Sequence, residues 1–157
     1  MNLKLKTKNL QLGQSLFEVV LALGVITAIT VGIVSLTVNA MRNAAFSKNK
    51  TLAGRYAQEA TEWLRSQRDT NFDTFADGNH VGTSPRCFPT LGWGGRVGSC
   101  LATDNISGTP LFRIITFSST APSGKIIIQA DIKVYWTDAQ GYHEVRSATS
   151  FSDWRQR

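Results

Sequence analysis

The sequence predicts an α+β protein in which one long N-terminal α-helix, half membrane-spanning and half amphipathic, packs on a small C-terminal antiparallel β-sheet. Three observations predict it. Residues 19–38 form an uncharged apolar run, an apolar stripe at helical spacing follows, and a period-two alternation fills residues 126–137. All four prolines lie at or beyond Pro85, so nothing earlier forces a helix to end or kink. A chain of 157 residues has room for one head with its own core and one extended appendage.

Residues 1–13 read as a basic leader. Lys4, Lys6 and Lys8 occur there with no acid among them, and the positive-inside rule then keeps the N-terminus cytoplasmic and sends the C-terminus out. From Val19 to Val38 there are twenty uncharged residues, mostly Val, Leu, Ile, Ala and Gly. At about 1.5 Å per residue they span about 30 Å, the thickness of a bilayer's hydrocarbon core. Residues 14–40 are therefore assigned to a transmembrane helix.

The extracytoplasmic head is assigned to residues 41–157. Over 41–68 the helix continues as an amphipathic one, with Phe46, Ala53, Tyr56, Ala57, Ala60, Trp63 and Leu64 on one face and Arg55, Gln58, Glu59, Glu62, Arg65 and Arg68 on the other. Residues 69–110 are rich in Gly, Asn, Asp, Ser and Thr, and Asp77-Gly78-Asn79 and Gly92-Trp93-Gly94-Gly95 read as turns in a long irregular connection. The sheet, three or four strands, is assigned to 111–154. Leu111 to Ser118 is its first strand. In the next, Ile126, Ile128, Ala130, Ile132, Val134 and Trp136 face one way, and after the turn Asp138-Ala139-Gln140-Gly141 the chain returns over Tyr142 to Phe151 as a further strand, with Val145, Thr149 and Phe151 turned one way.

The formal charge is +6, but without the three leader lysines it becomes 14 basic against 11 acidic residues, or +3, and no specific nucleic-acid partner is expected. Cys87 and Cys100 are the only cysteines. Outside the cytoplasm they are expected to form a disulfide that staples the irregular region. The alternative, free thiols or half a metal site, lacks a nearby His or a second cysteine pair.

Glu18 is the physical oddity of the span. A carboxylate just inside a membrane costs a few kcal/mol unless a cation meets it. A cut after Gly13 would supply that cation as the new α-amino group of Gln14, from the same chain or from a neighbour in an assembly. The alternative is a carboxylate that snorkels to the interface in an uncleaved anchor.

Gly13-Gln14-Ser15-Leu16-Phe17-Glu18, followed by the long apolar helix, resembles the class III signal of type IV pilins and type II secretion pseudopilins. The resemblance implies that a prepilin peptidase cuts between Gly13 and Gln14, that the new terminus can be N-methylated, and that the N-terminal helices pack into a filament with Glu18 neutralising a neighbour's terminus. Gln14 stands where the family usually has Phe or Met, which leaves open whether it is methylated or cyclised. Ala57-Gln58-Glu59-Ala60-Thr61-Glu62-Trp63-Leu64-Arg65 and the ending through Phe151-Ser152-Asp153-Trp154 are similar to minor pilin V and pseudopilin I subunits. The partners so implied are other pilin or pseudopilin subunits, the prepilin peptidase, the pilus or secretion assembly machinery, and membrane lipid before assembly.

No phosphate loop, nucleophile elbow or zinc-protease motif is present, and His80 and His143 stand far apart without a metal spacing. Asp69, Asp73 and Asp77 recur every fourth residue but lack the alternating pattern of a calcium loop. Trp93 and Trp154 are expected to cap the core, with exposed contact surfaces as the alternative. The reading is a non-enzymatic structural subunit that needs no cofactor or metal. It is held in the inner membrane and then built into a cell-surface or periplasmic filament serving adhesion, secretion or DNA uptake. The rival is an uncleaved, membrane-tethered binding protein that uses the stapled loop.

Overall fold

A computed structural model describes residues 15–78, 80–153 and 155. In chain order it contains α1 (Leu16–Thr70), α2 (Phe72–Phe75), β1 (Arg86–Cys87), β2 (Arg96–Val97), β3 (Phe112–Thr120), a 3-10 turn (Pro122–Gly124), β4 (Ile127–Asp138) and β5 (Gly141–Ser152). The predicted α+β layout is the observed one. The chain divides after Ala44 into two units, each with its own character.

In the first unit the side chains of α1 are uncovered, Leu16, Leu21, Ile29, Val31, Ile33 and Leu36 among them. This stretch is long and apolar enough to cross a membrane. Its three threonines are satisfied within the helix, because the hydroxyls of Thr27, Thr30 and Thr37 donate to the carbonyls of Gly24, Ile26 and Ile33 at 2.8–2.9 Å.

The second unit carries the core. Ala53, Ala57, Ala60 and Leu64 recur at spacings of three and four, so they share one face of α1, and all four are buried. Against them lie Ile115, Phe117, Ile128, Ile132, Val134, Trp136 and Phe151 from the sheet. Each large aliphatic or Phe side chain so buried contributes roughly 1.5–3 kcal/mol. The helix ends at Thr70, and the side chain of Asn71 caps the separate turn α2 by accepting from the Thr74 N–H at 3.1 Å.

The sheet is antiparallel throughout, in the order β2-β1-β3-β4-β5. Five strands replace the expected three or four because β1 and β2, two residues each, form inside the irregular region. Such short pairings have no periodicity for a sequence reading to detect. The alternation from Ile128 to Trp136 matches the burial of β4, whereas Ile126 precedes the strand and is exposed. β4 and β5 join through the two residues Ala139 and Gln140. Gly141 closes that turn at φ 116°, a conformation side chains resist.

Candidate functional site

At the start of α1 the Ser15 carbonyl accepts the Glu18 N–H at 2.9 Å and the Val19 N–H at 3.4 Å. Glu18 therefore sits in the first turn, where the positive end of the helix dipole favours a carboxylate. Leu16 and Phe17 beside it are 83% and 74% exposed, and Glu18 makes no ion pair among the described residues. Gly13 and Gln14, the expected processing site, lie outside the described residues, as do Lys4, Lys6, Lys8 and Trp154.

Cys87 and Cys100 form the expected disulfide, with Cα atoms 5.1 Å apart. Cys87 belongs to β1 and pairs with Ile114 of β3, so the bridge ties the loop to the central part of the sheet. The stapled segment delivers Trp93 to the end of α1. Its ring lies 4.9 Å from Trp63, 4.4 Å from His80 and 6.0 Å from Phe75, and its Nε1–H donates to Gln67 Oε1 at 3.0 Å. Trp93 thus packs as a cover on the core.

Both histidines have local partners. His80 Nδ1 is 2.8 Å from the Thr74 carbonyl oxygen, and His143 Nε2 is 2.9 Å from Asp138 Oδ1. Trp136 Nε1–H also donates to Asp138, and Phe46 of α1 packs edge-on against His143 at 5.0 Å. Burial raises the Asp138 pKa, but the bonds from the Gln140 N–H, His143 and Trp136 outweigh it and hold the carboxyl below its usual range. The three aspartates Asp69, Asp73 and Asp77 do not follow one helix, because α1 stops at Thr70 and Asp69 is bound by Arg68 at 2.8 Å. Among the described residues no group of three His, Cys, Asp or Glu side chains is placed to hold a metal ion.

Arg113 is the feature that sequence reasoning missed. It faces the core from β3 and is 2% exposed. Its Nε donates to the Phe88 carbonyl, and Nη1 reaches both the Tyr56 carbonyl and Glu59 Oε2, each at 3.2 Å. Burial lowers its pKa despite the opposing effect of Glu59. One guanidinium thereby joins α1, β3 and the stapled loop. The available signal was a lone charge inside the strand-like run Leu111 to Phe117.

No family model, no curated protein and no solved structure matches this chain.

Proposed function

We propose that this protein is a non-enzymatic filament subunit, a minor pilin or pseudopilin, that a prepilin peptidase cuts between Gly13 and Gln14 and that assembles through its N-terminal helix. The observation that carries the reading is Glu18, a carboxylate with no ion pair among the described residues, in the first turn of a helix whose next twenty residues are uncharged, mostly apolar and uncovered. Such a group calls for a cation in a dry setting, and a neighbour's new α-amino terminus fits that need. The head on the second unit, a helix packed on an antiparallel sheet, supports the same reading. In this mechanism subunits wait in the inner membrane, then exchange lipid contacts for helix contacts as assembly machinery extracts them.

Arg42, Lys48 and Lys50 follow the apolar run much as Lys4, Lys6 and Lys8 precede it, so basic residues alone do not orient the span. Processing does. The test is intact mass and N-terminal sequencing of the protein from membranes, with Gly13→Val as the blocked control. A start at Gln14 supports the proposal. A start at Met1 removes the amine that Glu18 is to meet and favours the tethered binding protein.

A further inference from the structure

We propose that α1 carries a cationic band, Arg42, Lys48 and Lys50, that docks on the anionic phospholipid headgroups where the helix leaves the membrane. The inference rests on reading the apolar run as a membrane span. Between Glu18 and Glu59 the chain contains Arg42, Lys48, Lys50 and Arg55 and no Asp or Glu, and all four cations are exposed. Four arginines elsewhere have carboxylate partners: Arg65 with Glu62 at 2.7 Å, Arg68 with Asp69 at 2.8 Å, Arg96 with Asp104 at 3.5 Å and Arg146 with Glu144 at 2.7 Å. Among the described residues none of the four helix cations has an ion pair. Lys50 lies only over the Phe46 ring, 5.9 Å from its centroid. Asp138, brought near Phe46 through His143 and Trp136, is already bound by those two side chains.

Distance along the helix selects which cations take part. Counted from Val38, Arg42 lies about 6 Å beyond the apolar run, Lys48 about 15 Å, Lys50 about 18 Å and Arg55 about 26 Å. The headgroup layer is about 5–8 Å thick and its field decays over about 8–10 Å at physiological salt. Helical side chains lean toward the N-terminus, here toward the membrane, so the long Arg and Lys stems shorten the gap further. The first three cations fall within that reach and Arg55 falls outside it. A row of unmatched cations beside a span is complementary to an anionic surface and gives each residue a several-fold preference for it.

The test reconstitutes the full chain in phosphatidylcholine vesicles containing phosphatidylglycerol, with a spin label on one lipid or the other. The fraction of motionally restricted label reports which lipid surrounds the helix. Phosphatidylglycerol is expected to be enriched about threefold or more at low salt, and to fall toward parity near 1 M salt, where screening acts over about 3 Å. The triple variant R42Q/K48Q/K50Q is expected to lose most of the preference, and R55Q to keep it. Equal restriction of both lipids by a chain that resists alkaline extraction would overturn the proposal. A preference that survives in the triple variant would assign it to Lys4, Lys6 and Lys8 and overturn it equally. A chain that alkali extracts would overturn the membrane reading on which the proposal rests.

Discussion

Arg113 meets two carbonyls and one carboxylate, and these partners are not equivalent. Glu59 is 54% exposed, so the ion pair is screened and contributes about 0–1 kcal/mol. The Tyr56 carbonyl is also an acceptor within α1, but the Phe88 carbonyl lies in the loop beside the buried guanidinium, and losing its donor costs about 1–3 kcal/mol on top of the cavity left behind. Thermal unfolding of the variants is therefore expected to show Glu59→Gln within about 1 kcal/mol of the parent and Arg113→Ala at about 3 kcal/mol or more. Equal losses would mean that the ion pair, not the carbonyl bonds, holds the helix to the sheet. Tyr142 makes a second residue-scale case. Burial first, and then the bond its hydroxyl donates to Glu144 Oε2 at 2.8 Å, push its pKa up to about 12. The folded state thus favours the protonated phenol. Its contribution is complete below the ordinary value near 10 and is lost as pH rises through the folded value. Burial raises Tyr135 as well, so phenolate absorbance is expected to show a late component from Tyr142 that Tyr142→Phe removes and Glu144→Gln shifts earlier. Titration of Tyr142 at the ordinary value would rule this environment out.

Among the elements, the stapled segment gains most from a single covalent bond. β1 and β2 have two residues each and cannot be stable alone, yet they position Trp93 over Trp63 and Phe75. The bridge closes a sequence separation of 13, for which the chain-entropy account gives about 3 kcal/mol. Reduction, or the pair Cys87→Ser and Cys100→Ser, is expected to lower stability by about 2–3 kcal/mol and to red-shift tryptophan emission as Trp93 leaves its cover. Loss of stability without any emission change would place the effect elsewhere than at the Trp93 contact. The elements also differ in how far the sequence revealed them. Ala53, Ala57, Ala60 and Leu64 announce the buried face of α1, and Ile128 to Trp136 announce β4, because each repeats a period that burial on one side imposes. β1, β2 and α2 are too short to repeat anything, and they exist only because the disulfide, the Asn71 cap and the neighbouring strand hold them. Arg113 was illegible for a different reason. Its burial depends on carbonyls of Tyr56 and Phe88, 57 and 25 residues away in sequence, which no local pattern encodes.

At the scale of the whole molecule, the two units solve opposite problems. The second closes its own core, with Trp136, Phe117, Phe151 and Leu64 almost fully buried. The first leaves its apolar side chains uncovered and needs a solvent other than water, which lipid or the helices of other subunits can supply. Glu18 separates those two solvents. In lipid a carboxylate at this position is a burden of a few kcal/mol, so Glu18→Ala is expected to insert at least as well as the parent. In the proposed helix-packed filament the same residue would be matched by an amine and would select one register over its neighbours, so its loss should leave many registers nearly equal in energy. The expected outcome for Glu18→Ala is thus an undiminished membrane-bound pool together with filament incorporation reduced at least tenfold, measured by flotation and by quantifying the subunit in sheared filaments. Glu18→Gln keeps the size of the side chain and removes only its charge, and it is expected to follow Glu18→Ala. If Glu18→Gln assembles like the parent, charge pairing at this position does not set the register, and the mechanism proposed for the filament core is wrong even if the chain is processed as a pilin.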